Sequence, residues 1–81
     1  MGKYNQKYWI EQYTNKKTIE QWFRNYLTYL DGHFHGLQNI EEIKQQFIKN
    51  ELIEIRIVLN TERNQQKAYN FLKNVINKME I

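Results

Sequence analysis

Residues 51–60, ELIEIRIVLN, decide the fold of this 81-residue chain. Ile53, Ile55, Ile57 and Leu59 alternate with Leu52, Glu54, Arg56 and Val58, the two-residue period of a half-buried strand. On that reading Leu52–Leu59 is a strand reaching roughly 26 Å at ~3.3 Å per residue. Immediately after it, TERNQQKAYNFLKNVINKME (61–80) changes period. Ala68, Leu72 with Phe71, Val75 with Ile76, and Met79 recur at three- and four-residue steps, so they share one helical stripe. A helix joined by a two-residue turn folds back. The spacing therefore predicts a helix lying across the isoleucine face, with Ile55, Ile57, Leu72 and Trp22 in one core.

Upstream, Thr18 followed by Gln21 reads as a capping box that opens a helix. Ile19, Trp22, Phe23, Tyr26, Leu27 and Leu30 continue its apolar stripe, and Asp31-Gly32 is the expected stop. Residues 31–38, DGHFHGLQ, read as a connector. Asn39 caps a shorter helix in which Glu41 and Glu42 complement the dipole and Ile40, Ile43 and Phe47 face inward. Lys49-Asn50 is its expected end. Residues 3–13, KYNQKYWIEQY, suit a helix or a short aromatic strand at Tyr8–Tyr13. A lone strand leaves amides and carbonyls unpaired, so Leu52–Leu59 requires a partner. Lys7–Tyr13, His33–Leu37 and the same strand of a second copy are the candidates. The expected fold is α+β: a small helix-rich single domain with three helices packed on a minimal two- or three-stranded sheet.

Composition narrows the chemistry. Cysteine is absent, which excludes disulfides and thiolate zinc sites and suits a reducing compartment. No apolar run approaches a membrane span and MGKYNQKYWI has no signal-like core, so a cytoplasmic location without membrane contact is expected. A formal charge of +3 is compatible with a nucleic-acid partner. Serine is absent as well, which removes the commonest nucleophiles, and the three glycines form no phosphate loop. His33 or His35 with Glu41 is the remaining acid–base pair, and nothing in the sequence fixes its geometry. In an extended segment His33 and His35 point to one side, but a third metal ligand would have to come from Asp31 or a remote residue such as Glu11. No metal, no cofactor and no enzymatic activity are expected.

Two groups of side chains suit binding instead. Arg63, Lys67, Asn70, Asn74 and Lys78 fall on successive turns of one helical face, a row of donors for phosphates or base edges. Its bland counterpart is a solvated face opposite a buried stripe. Tyr4, Tyr8, Trp9 and Tyr13, interleaved with Lys3, Lys7, Lys16 and Lys17, suit a partner surface or stacking on unpaired bases, or else complete the core.

Abundant Asn, Gln, Lys and Ile without proline or serine resembles the composition of proteins from AT-rich genomes, many phages and mobile elements among them. The resemblance implies an anti-defence setting, anti-CRISPR-like for example. The leading reading is a small non-enzymatic module, a stoichiometric regulator or inhibitor of a larger protein or protein–nucleic-acid complex. The alternative is a DNA- or RNA-binding regulator using the last helix, and a metal-dependent hydrolase on the His-x-His loop is the weaker third. An unpaired strand and surplus aromatics also lead to the expectation of a homodimer.

Overall fold

The computed structural model describes residues 5–33 and 39–80. Four helices carry this part of the chain: α1 (Gln6–Tyr13), α2 (Lys16–His33), α3 (Ile40–Val58) and α4 (Glu62–Lys78). No strand occurs among the described residues, so the expected α+β fold with its two- or three-stranded sheet is overturned. Residues 52–58 are the second half of α3, and Tyr8–Tyr13 belongs to α1. Lys49-Asn50 does not end a helix. Both residues are exposed, and Asn50 Oδ1 accepts from Gln46 Nε2 one turn back at 3.1 Å.

The physical reason is the longer period. Ile43, Phe47, Ile48, Ile55 and Leu59 are buried, with Glu51, Leu52 and Val58 partly so, which is a helical stripe running the length of α3. Ile53 and Ile57, placed in the core on the strand reading, are 53% and 67% exposed on the outer side. A helix satisfies its backbone within the segment, whereas a strand here would have none beside it. The β-branched residues cost at most ~0.7 kcal/mol each in helix propensity. Full burial of Ile48, Ile55 or Leu59 is worth roughly 1.5–3 kcal/mol each. Burial wins.

Helix starts follow one rule. Asn5, Asn39 and Thr61 cap α1, α3 and α4, accepting from the amides of Tyr8, Glu42 and Asn64. Asn15 does the same for α2, accepting from Thr18 N–H at 3.1 Å. Thr18 is therefore a donor inside the first turn, and the cap lies three residues before the expected one. At the other end α2 runs through Asp31-Gly32 to His33. Between α1 and α2 the chain turns in two residues, with Thr14 Oγ1 donating to Ile10 O at 2.6 Å.

α4 is the hub. It packs against α1, α2 and α3, and its buried stripe is Ala68, Leu72, Val75 and Ile76, as its spacing predicts. Facing it are Ile19, Phe23 and Leu30 from α2 and the α3 stripe, with Trp22, Tyr26 and Leu27 packed at the edge. The α3–α4 hairpin is tied where Leu59, fully buried and extended, gives its carbonyl to Gln65 Nε2. At the far end Lys44, 4% exposed, donates to the carbonyl of Met79 at 2.6 Å. That ammonium meets an orphan carbonyl at the negative end of the α4 dipole. Among the described residues, no helix is long and apolar enough to cross a membrane.

The helical assignment of 52–58 makes neighbouring isoleucines unequal. Ile55→Ala should cost about 2–5 kcal/mol, whereas Ile57→Ala should stay within about 0.5 kcal/mol of the parent chain. Urea unfolding followed by far-ultraviolet circular dichroism measures both. Equal losses would restore an alternating buried face.

Candidate functional site

The row read from the sequence of the last helix lies on the outer side of α4. Arg63, Lys67, Asn70, Asn74 and Lys78 are all exposed. At about 100° per residue they fall within an arc of about 80°. The arc lies opposite Leu72, so the packing that buries the apolar stripe turns the row outward. Asn70 Oδ1 accepts from Gln66 Nε2 at 2.8 Å, a bond that does not use the Asn70 NH2 donors. Glu62, in the first turn, is the acidic residue of this helix.

Beside the row runs a groove of about 580 Å³ between α2 and α4. Lys16 and Arg24 stand on its α2 side and Asn74 and Lys78 on the α4 side, over a floor of Phe71, Val75 and Met79. Glu20 and Glu80 line it too and temper its charge. The groove extends the row from one helix to two. Lys16 belonged to the N-terminal group on sequence, and Arg24 to none, because the apposition of α2 and α4 has no local signature.

The N-terminal aromatics separate. Tyr4 lies outside the described residues. Tyr8 and Trp9 are partly exposed on α1, edge to face at 5.2 Å. Tyr13 is 2% exposed and belongs to the core, so it offers little surface to a partner. Its ring meets Trp22 edge to face at 5.1 Å and stands 6.2 Å from Trp9. Phe23 and Tyr26 continue the cluster to Phe47, with centroids 5.1 and 5.3 Å away. Such pairs are worth about 0.5–1.5 kcal/mol each beyond area burial.

The Tyr13 hydroxyl donates to Glu51 Oε1 at 3.2 Å, joining α1 to α3. Burial raises the Tyr13 hydroxyl far above its ordinary range, and the Glu51 charge adds to this. Burial likewise raises Glu51, against the hydrogen bond from Tyr13, while Glu54 raises it further. This pair escaped the sequence reading because residue 51 stood at the head of a strand. On a helix it sits one turn from Phe47 and from Ile55, inside the buried stripe.

Of the metal-like cluster, His35 lies outside the described residues, and of His33 only its place at the end of α2 is described. Among the described residues no three His, Asp or Glu side chains converge to hold a metal ion. No protein-family model matches the chain, and neither a curated protein nor a solved structure matches it.

The Tyr13–Glu51 pair has a pH signature. Glu51 has a folded pKa above its unfolded value, so the protonated carboxyl favours the fold. That contribution is present below the unfolded value near 4.5 and is lost as pH rises through the folded pKa. Glu51→Gln keeps an acceptor for Tyr13 and removes the charge, so its advantage over the parent should grow across that window and then level off. Tyr13→Phe deprives Glu51 of its donor and should cost about 1–3 kcal/mol at neutral pH. Unfolding midpoints from pH 4 upward (roughly the unperturbed carboxyl range) check both signs.

Proposed function

We propose that this chain is a small, cytoplasmic, non-enzymatic binding module. It acts as a stoichiometric regulator or inhibitor by occupying a surface of a larger protein or protein–nucleic-acid machine, with the outer face of α4 as its contact. The observation that supports this reading is the exposure of Arg63, Lys67, Asn70, Asn74 and Lys78 along a single arc. Five donors on one helix share a backbone frame that need not reorganise on docking, although the lysine and arginine side chains lose rotamer freedom. An anti-defence role on a mobile element is a setting that the composition suits.

A second reading, direct binding to DNA or RNA, is favoured by Lys16 and Arg24. They carry the cations from α4 across the groove to α2, in the manner of a track for a phosphate backbone.

One experiment separates the two. The tagged chain is used as bait in extract of its native host, with and without nuclease. A protein retained near one-to-one after nuclease treatment, and lost with the exposed double variant R63E/K67E, is the expected result. Recovery of nucleic acid alone, with affinity falling steeply as salt rises, selects the second reading. Capture unchanged by R63E/K67E would remove α4 as the contact face.

A further inference from the structure

An open cleft of about 410 Å³ lies where α1, α2 and α3 meet, lined by Trp9, Tyr13, Trp22, Tyr26, Phe47 and Glu51. None of these residues is on α4, so the cleft is a second surface, independent of the contact face argued above. Its part-exposed rings are Trp9, Trp22 and Tyr26, while Tyr13 and Phe47 are buried. Tyr13 and Trp22 stand 73° apart, and Tyr26 and Phe47 stand 49° apart. Among the described residues its one charged side chain is the Glu51 carboxylate, and Asn25 also lines it.

Among the described residues that carboxylate has no ion-pair partner. Among the described residues the one ion pair is Lys44 with Glu41, on another part of α3. Glu51 accepts from the Tyr13 hydroxyl through Oε1, which leaves carboxylate lone pairs without a protein donor among the described residues. A half-buried carboxylate lacking a counter-charge is costly, and a donor cation in the cleft would relieve that cost. The aromatic faces around it attract cations by their own electrostatics, at about 6 Å or less from ring centroids.

We infer that this cleft binds the guanidinium group of an arginine side chain presented by a protein partner. Among organic cations, guanidinium meets both halves of the lining. It is planar and weakly hydrated, so it stacks on Trp and Tyr faces, and its fork of N–H donors fits the free lone pairs of a carboxylate. An ammonium is a compact, strongly hydrated point charge that cannot stack. A quaternary ammonium has no donor for Glu51 at all. Arginine is also widely used in nucleic-acid recognition, so such a partner fits the machine proposed above. The cleft assignment does not require that machine.

The chain's two tryptophans both line the cleft, so its intrinsic fluorescence reports on this site. The probe is the capped tripeptide acetyl-Gly-Arg-Gly-amide, titrated into the full chain at millimolar concentrations. The same peptide with citrulline or lysine in place of arginine serves as control. Citrulline matches arginine in shape and lacks its charge. A saturable fluorescence change with arginine, at least several-fold weaker with lysine and absent with citrulline, is expected. Glu51→Gln, which keeps the acceptor for Tyr13, should weaken the arginine peptide about tenfold or more at unchanged circular dichroism.

Equal responses to arginine and citrulline would overturn the assignment, and so would a titration unaffected by Glu51→Gln. Tetramethylammonium binding better than the arginine peptide would overturn it in favour of a donor-free cation. Should Glu51→Gln unfold, the indole N–H resonances of the unaltered chain still decide. Both must move with arginine and not with citrulline. Double variant R63E/K67E should titrate like the parent, so failure here and failure of the α4 contact are separable.

Discussion

Everything in this fold hangs on the narrow apolar stripe of α4. Ala68, Leu72, Val75 and Ile76 are the positions through which one helix holds three others, and the first of them is small. Ala68 is 1% exposed, so a larger side chain there would have to displace a neighbouring helix rather than fill space. Both ends of the helix are fixed by polar contacts. Gln65 holds the Leu59 carbonyl at the start, and Lys44 holds Met79 at the finish. Burying an ammonium is expensive without a partner, and here the partner is a carbonyl that the helix end would otherwise leave unsatisfied. The same geometry dictates the surface. A helix whose inner arc is committed to three neighbours must present its remaining side chains to solvent, and in α4 those are mostly lysine, arginine and amides, with Glu62 in the first turn.

The amide-rich composition has a structural use. Three of the four helix caps are asparagines, in a chain that has no serine to offer. Glutamine–asparagine pairs one turn apart brace α2, α3 and α4, at Gln21–Asn25, Gln46–Asn50 and Gln66–Asn70. Each such pair is worth only about 0.2–0.5 kcal/mol. Two more cross between helices, Gln45 to Asn77 and Asn64 to Gln6. These bonds are directional, so they fix the rotation of α3 against α4 and of α1 against α4 where apolar contact alone leaves freedom. A composition that resembles an AT-rich coding bias is therefore also a set of caps and ties.

The cores of α2 and α4 were legible because each has a cap-like residue and an apolar stripe several turns long. Asn39 was legible as a cap for the same reason. The second half of α3 was not, and the cause is local. Over 52–59 alone, isoleucine at every second position fits a strand, and eight residues hold barely two helical turns against which to test the alternative. Read from Asn39, the positions 43, 47, 48, 51, 52, 55 and 59 keep a helical period through the supposed break at Lys49-Asn50. Both residues of that pair simply sit on the exposed arc. A dimer built on strand pairing loses its basis with the strand. The α4 row was readable since its exposure follows from one helix's own period. The aromatic cleft was not, because its lining comes from three helices and its carboxylate sits on a turn that the strand reading had dissolved.

Separation of charge between the two faces follows from this architecture. Glu51 reaches the cleft because it occupies the partly buried side of α3, where the Tyr13 hydroxyl can meet it. The cations of α4 stay outside because their helix is the hub and its inner arc is full. The elements that shape the cleft are joined to one another without α4: α1 to α3 through Tyr13 and Glu51, and α2 to α3 through Phe23, Tyr26 and Phe47. α4 itself bonds to α1 through Asn64 and Gln6 and to α3 through Gln45 and Asn77, and Arg63 and Lys67 on its outer arc take part in neither bond. Two surfaces of opposite sign thus stand on one small frame, with α4 the helix that packs against all three elements of the cleft.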